Sequence, residues 1–361
     1  MDDYIHICKR ENNSRRGYLI VNSLQGKHVP VSPQAALNLF GKLGDALAER
    51  FCGERLLAIG FAETATAIGA AVAIRLGCHY IQTTREDMGP GEFLYFSEEH
   101  SHATEQKIAA EELDGLMGSI DRVLFIEDEI TTGKTILNGI RAMERRYGRG
   151  LRFGAASLLN GMTEEDEARF RQAGVDWLFL RKLDNAGYEE AAARLETDGL
   201  WVEQTAPGEL ETIEIGGRLE PRRLVDSRAY AAGCQDLARR AIELAEVKPG
   251  QRVLVLGTEE CMFPAIFLGA ELETLGAQVW THSTTRSPIA PSQGCPLWAR
   301  YRLRSLYDAK RTTFIYNLAQ YDRVLIVTDA APLSREGAMD LAGALGQAGN
   351  RQIRLIQWRE A

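Results

Sequence analysis

The chain has 361 residues, 45% of them apolar and 25% charged, and a formal net charge of −8. That length supports two or three domains, each burying its own core, and the acidic excess argues against a nucleic-acid backbone as bulk partner. Six cysteines without a CxxC spacing give neither a zinc knuckle nor a redox motif. The polar N-terminus has no signal-peptide core and no apolar run is long enough to span a bilayer, so a cytoplasmic protein with reduced thiols and no membrane partner is expected.

Residues 16–30 (RGYLIVNSLQGKHVP) read as an antiparallel hairpin turning near Gln25-Gly26. RLLAIG at 55–60 reads as a buried strand, followed by a helix over 64–76. DRVLFI at 121–126 is a second buried strand with a helix over 134–147 behind it; 151–159 and 176–181 are the third and fourth. Short apolar strands separated by helices specify parallel β-α-β units and an open α/β sheet. The stretch 85–119 is too long for a plain connection. At 205–221 the sequence TAPGELETIEIGGRLEP loses helical period and gains Pro, Gly and acid. The expected domains are therefore 1–205 and 222–361, joined by a linker at 206–221.

The second half repeats the first. RLLAIG at 55–60 corresponds to RVLVLG at 252–257. Thr83-Thr84-Arg85 recurs as Thr284-Thr285-Arg286, and DRVL at 121–124 recurs at 322–325, both at an offset of 201.

The chemistry concentrates in VLFIEDEITTGKT, 123–135. A buried strand ends in Glu127 and Asp128, and a Thr/Gly loop leads into a helix. Ligands of open α/β sheets bind at the carboxyl ends of strands. Backbone N–H groups of the loop and the helix N-terminus form a nest for a phosphate, Gly133 permits close approach, and Thr131, Thr132 and Thr135 add hydroxyl donors. Two acids beside a phosphate nest make sense if they hold ribose hydroxyls with Mg2+ nearby. Gly133-Lys134-Thr135 mimics the end of a nucleotide-binding P-loop, but that motif needs glycine where Asp128 stands. A solvated loop with capping threonines is the bland alternative.

VLFIEDEITTGKT resembles the phosphoribosyl-diphosphate (PRPP) motif of type-I, orotate-like phosphoribosyltransferases. The resemblance implies an open parallel sheet with a hood, and a site in which Glu127 and Asp128 contact the ribose hydroxyls. Mg2+ is then held near these two acids mainly through the ligand, and Thr131, Thr132, Gly133, Lys134 and Thr135 bind the 5-phosphate. Ala62, Glu63 and Thr64 match the family's pyrophosphate loop, and the hood falls in 85–119. Arg85 is placed to pair with the pyrophosphate. His100 and His102 serve as donors or acid-base groups, or else belong to an exposed polar loop. The implied reaction moves phosphoribosyl between PRPP, or a nucleotide, and a base-like acceptor in a homodimer. The alternative is a non-catalytic sensor of nucleotides on the same fold.

In the second half Thr328-Asp329 replaces Glu127-Asp128, and AAPLSRE, with Pro332 and no counterpart of Gly133, replaces the phosphate loop. A degenerate phosphoribosyltransferase-like α/β domain is expected. Thr285-Arg286-Ser287-Pro288, downstream of such a first domain, resembles the TRSP-domain family of bacterial tellurium-resistance (Ter) clusters. That implies a nucleoside-like metabolite made with cluster-encoded pathway enzymes. Thr285, Arg286 and Ser287 lie just past a strand end, where with Thr258, Glu259, Glu260 and Asp329 they can form an anion or ligand site. Arg286 equally suits a structural salt bridge. The basic run 300–311 reads as a solvated face or a cover over the neighbouring site.

Overall fold

The computed structural model describes residues 4–11, 16–96 and 106–360. Strands β1 (Ile5–Lys9) and β2 (Tyr18–Asn22) precede helix α1 (Pro33–Arg50). Next come β3 (Leu56–Gly60), α2 (Ala65–Leu76), β4 (His79–Gln82), the short strands β5 (Phe93–Tyr95) and β6 (Lys107–Ala109), and α3 (Glu111–Asp114). β7 (Arg122–Ile130), α4 (Lys134–Tyr147), β8 (Arg152–Asn160), α5 (Glu164–Gln172) and β9 (Val175–Lys182) follow. After α6 (Tyr188–Arg194) come β10 (Leu200–Val202), β11 (Glu211–Ile215), β12 (Val225–Asp226) and α7 (Ser227–Ala245). The remainder is β13 (Arg252–Gly257), α8 (Phe263–Thr274), β14 (Gln278–Ser283), β15 (Ala299–Arg304), β16 (Thr312–Tyr316), β17 (Arg323–Thr328), α9 (Arg335–Gln347) and β18 (Ile353–Trp358). No helix among the described residues is long and apolar enough to cross a membrane.

Two compact units form, and neither is one continuous stretch. One comprises Asn38–Asp184 with Leu219–Ala232; the other comprises Met1–Leu37, Asn185–Arg218 and Gly233–Ala361. The divisions drawn from sequence, 1–205 and 222–361, do not coincide with these units. Nor is 206–221 a bare linker, because ETIEI within it is β11, paired in parallel with β18 from Glu211↔Arg354 to Ile215↔Trp358. Its flanking Pro and Gly bound a strand.

In the unit built on Asn38–Asp184, six strands take the order β12-β4-β3-β7-β8-β9, all parallel except the antiparallel edge β12. LLAIG of β3 is buried throughout, as a parallel strand covered on both faces requires. Helix α2 is Ala-rich because it lies close on β3: a Cβ at Gly69 would sit 2.7 Å from Gly60 Cα. From β3 the chain goes to β4 on one side, whereas β7, β8 and β9 continue on the other. The order reverses between β3 and β7, and such a reversal opens a crevice at the carboxyl ends of the strands.

In the other unit a five-stranded parallel sheet has the order β11-β18-β17-β13-β14, beside a three-stranded sheet β10-β15-β16 and the hairpin β1-β2. Strand for strand, β14-β13-β17-β18-β11 repeats β4-β3-β7-β8-β9, with β11 entering from earlier in the chain where β9 comes later. Local bonds repeat too. Asp121 N donates to Arg55 O and Asp322 N to Arg252 O, each at 2.8 Å. Thr84 exchanges backbone bonds with Lys107, and Thr285 does so with Phe314.

The early hairpin differs from expectation. Tyr18–Asn22 pairs backwards with Ile5–Lys9, not forwards with 27–30. The later residues are drawn inward instead. Lys27 is 1% exposed, and its Nζ donates to Glu259 O (2.8 Å) and Thr284 O (3.0 Å), while Val31 bridges Thr281.

Candidate functional site

The expected strand 121–126 is longer than the sequence reading. β7 runs to Ile130, because β8 continues beside it as far as Ile130↔Asn160. On the other side β3 stops at Gly60↔Ile126. Glu127, Asp128 and Glu129 thus lie within a strand that projects past its inner neighbour, and all three are partly exposed. The register passes from Glu127↔Ser157 to Glu129↔Leu159, leaving Asp128 outside it. Glu127 and Asp128 hydrogen-bond through their side chains. Burial, then the Asp128 charge, push the Glu127 carboxyl well above its usual range, and the Arg85 guanidinium opposes them.

Three residues past the end of β7, Gly133 is the N-cap of α4 with φ 68° and provides no capping side chain. A Cβ there would meet Phe170 Cε1 at 2.2 Å, so both the left-handed backbone and the close approach require glycine. The first turn of α4 contains no acidic residue. Leu137 N donates to Gly133 O (3.0 Å), so the N–H groups of 134–136 precede the helix's own acceptors. Thr131 is partly exposed, and Thr132, Lys134 and Thr135 are exposed. This end of α4 carries a partial positive charge with no carboxylate of its own turn to offset it.

The facing loop leaves β3 at Phe61, whose N–H donates to Ile126 O (3.0 Å). Thr83 Oγ1 accepts from Ala62 N (2.8 Å) and donates to Gln106 Oε1 (2.7 Å), and Gln106 Nε2 donates to Ala62 O (2.8 Å). Glu63 O accepts from Thr66 Oγ1 (3.0 Å), and Thr64 caps α2 without a side-chain bond. Sequence reading missed Thr83 and Gln106 as the braces of this loop; the repeat of Thr83 as Thr284 was the available signal. Arg85 is exposed and close enough to Glu127 to act on its charge. Phe61 packs on Phe125 and Phe96, with centroids 6.0 and 5.6 Å apart, which fixes the stem of the 85–119 connection over the sheet. His100 and His102 lie outside the described residues. Among the described residues no group of three or more His, Cys, Asp or Glu could hold a metal by itself.

Two family matches cover most of the chain. Residues 5–177 match PRTase_2, a phosphoribosyl transferase, and residues 225–344 match TRSP, the domain C-terminal to PRTase_2. The chain belongs to the phosphoribosyl transferases that carry a TRSP domain. No curated protein matches it. Among solved structures it is similar to adenine phosphoribosyltransferase from Leishmania tarentolae, at 21% identity and TM-score 0.30, over 42% of this chain and 74% of that one. The enzyme from Thermoanaerobacter pseudethanolicus gives 19% and 0.37, over 50% and 96%. That from Trypanosoma brucei, solved with AMP, pyrophosphate and ribose-5-phosphate, gives 17% and 0.35, over 50% and 76%.

In the TRSP region the candidate residues meet in a polar cluster whose charges are balanced internally. Glu259, 1% exposed and at φ 48°, donates its N–H to Thr284 Oγ1 (3.0 Å). Its carboxylate takes Arg286 Nε (2.7 Å), Arg311 Nε (3.4 Å) and the Ser305 hydroxyl. Arg286 also approaches Glu260 (3.7 Å). Of the two expectations for Arg286, the salt bridge is the one observed. Thr258 Oγ1 bonds Thr328 Oγ1 (2.8 Å) and Tyr307 OH (3.0 Å), and Tyr307 donates to Asp329, which Arg218 also faces at 3.6 Å. Thr285 Oγ1 accepts from Ser287 N (3.2 Å), closing a local turn. Sequence reading missed Ser305, Arg311 and Arg218. The basic run is neutralised: Arg300 pairs with Glu11 and Glu203, Arg302 with Glu203, and Arg304 with Asp340.

Proposed function

We propose that the crevice between β3 and β7 binds PRPP and transfers its phosphoribosyl group to, or accepts it from, a base-like acceptor. The observation that carries this reading is the projecting end of β7. It brings Glu127 and Asp128 together, next to Arg85, and leads directly into a glycine-capped helix N-terminus. A phosphoribosyl ligand has a matching pattern, a cis-diol in the middle and a dianion at one end. Glu127 and Asp128 accept hydrogen bonds from the ribose hydroxyls. The N–H groups of 133–136 and the hydroxyls of Thr131, Thr132 and Thr135 bind the 5-phosphate. The loop Ala62-Glu63-Thr64, held by Thr83 and Gln106, and the guanidinium of Arg85 face the pyrophosphate.

The paired acids fit a hard cation, because a positive charge shared with the ligand relieves the repulsion that raises Glu127. Mg2+, when bound, neutralises the leaving pyrophosphate. As pyrophosphate departs, positive charge develops on the ribose C1, and the two carboxylates stabilise it while fixing the ring. The acceptor enters from the opposite face, so no covalent protein nucleophile is required.

Isothermal titration with PRPP and Mg2+ is the test. Wild type should bind, and Asp128→Asn should bind at least about tenfold more weakly, the loss of one charge-assisted hydrogen bond. Wild type that takes up no PRPP ends the reading. Binding without pyrophosphate release across a panel of nitrogenous acceptors would instead identify a sensor.

A further inference from the structure

The thiols of Cys8 and Cys295 come from opposite ends of the sequence and share one apolar cluster. Cys8, on β1, is 0% exposed and packs with Val21, Ile289, Leu297, Phe314 and Tyr316; Cys295, partly exposed, packs against the same group. The two side chains are in hydrogen-bond contact. Both backbones are tied down beside each other. Ala290 N donates to Lys9 O (2.9 Å), Glu11 N to Pro288 O (2.9 Å), and Arg10 bridges Ile289. On the other flank Cys295 N donates to Ser292 O (3.3 Å), and Leu297 N donates to Cys295 Sγ (3.4 Å).

We propose that Cys8 and Cys295 are a peroxide-reactive dithiol that closes to an intramolecular disulfide. Two neighbouring thiols with unequal environments have the division of labour this needs. The hydrogen bond from Cys8, then the N–H of Leu297, lower Cys295 to about 7 against the effect of burial. The same contact, with burial, raises Cys8. Cys295 is thus partly ionised to the thiolate at neutral pH and the more accessible of the two, whereas Cys8 stays a protonated donor behind it. The Cys295 thiolate attacks one oxygen of a hydroperoxide. The O–O bond breaks, hydroxide leaves and takes up a proton as water, and Cys295 becomes a sulfenic acid. The Cys8 sulfur then attacks the Cys295 sulfur. The S–O bond breaks, the S–S bond forms, and the departing hydroxide leaves as water with the Cys8 proton. Two thiols are oxidised and one H2O2 is reduced to two waters; a dithiol reductant reverses it. The other cysteines are arranged differently: Cys52 is exposed, and Cys78 is buried, with its thiol pushed up to about 12 by that burial. Closure staples β1 to the segment before β15, and through the hairpin it restrains Lys27, which holds the carbonyls of Glu259 and Thr284.

The experiment treats the reduced full chain with one equivalent of hydrogen peroxide at neutral pH, alkylates remaining thiols, and maps peptides without reductant. The expected result is loss of two of the six thiols, one crosslinked peptide pair containing Cys8 and Cys295, and full reversal by dithiothreitol. Cys8→Ser should stop at a Cys295 sulfenic acid that dimedone traps, and should move the pH at which Cys295 is half-alkylated upward. A crosslink between other cysteines, or wild-type Cys295 carried to sulfinic acid with Cys8 still alkylated, overturns the proposal. The wild-type map decides this even if the variant does not fold.

Discussion

The two crevices have the same strand order and end differently at two places. After β3 the loop carries Ala62, which donates its N–H to Thr83; after β13 the equivalent residue is Glu259, which donates to Thr284. A methyl group in one crevice is a carboxylate in the other, already held by Arg286, the counterpart of Arg85. The second difference lies at the helix that follows the acidic strand end. Helix α4 begins on Gly133 with no side-chain cap and no acid in its first turn. Helix α9 begins on Ser334, whose side chain accepts from Gly337 N at 3.1 Å, with Glu336 in its first turn. Where the first crevice has a methyl group and a helix N-terminus without an acid in its first turn, the second has carboxylates and a capping hydroxyl. One strand order can thus carry different side chains at its strand ends, and in the second unit these form a packed, charge-balanced cluster.

Glu259→Ala breaks the comparison most forcefully. Arg286 and Arg311 would lose a partner that is 1% exposed, and breaking a buried pair from one side costs about 3–5 kcal/mol. Urea denaturation reads this directly. A loss below about 1 kcal/mol, the size of an exposed pair, would mean that the carboxylate is not balancing those cations.

Gly133→Ala is expected next. The left-handed backbone costs about 1 kcal/mol, and displacing Phe170, whose ring would be 2.2 Å from the new carbon, adds about 1–3 kcal/mol. The same change should weaken PRPP binding by more than the stability loss explains, because the loop must shift to relieve the overlap. A variant that keeps wild-type affinity and melting temperature would show that the loop is not fixed by this glycine. At the matched position Ser334→Ala should cost about 1 kcal/mol, and Ser334→Gly only a few tenths. The second helix is capped by a side chain and the first is not, so the first position loses stability on gaining a methyl group and the second on losing a hydroxyl.

Much of this contrast could be read from sequence, for a physical reason. β3, β7, α2 and α4 are declared by contiguous buried runs and a helical period, and the Thr/Gly loop by residue types that only a turn or an anion nest favours. The shared offset of Thr83 with Thr284 and of Asp121 with Asp322 exposed the duplication. What stayed hidden depends on partners distant in the chain. β11 is a strand because β18 lies beside it, and 27–30 leaves the expected hairpin because Lys27 finds two carbonyls more than two hundred residues later. Likewise, nothing local to Thr258-Glu259-Glu260 says that the middle carboxylate turns inward to meet Arg286, or that Gln106 reaches back to Ala62.

The gentlest probe changes only a proton on an otherwise retained shape. In the folded chain Glu127 holds its proton to a pH well above the ordinary value of 4.5, because burial and the Asp128 charge disfavour the anion. Below 4.5 both folded and unfolded chains are protonated there and nothing is lost. As pH rises through the raised folded value, the unfolded chain has already released the proton and the folded chain must follow, so stability falls. Glu127→Gln removes that penalty. It should melt with wild type at pH 4 and above it at pH 8, in the absence of ligand. Adding Mg2+ with PRPP should reverse the order at pH 8, since in the proposed function the charge that destabilises the folded chain is the one that holds the sugar and cation. A variant equal to wild type at both values would mean that the two carboxylates do not crowd each other, and the crevice would then lack the feature that most separates it from its copy, where threonine stands in place of Glu127.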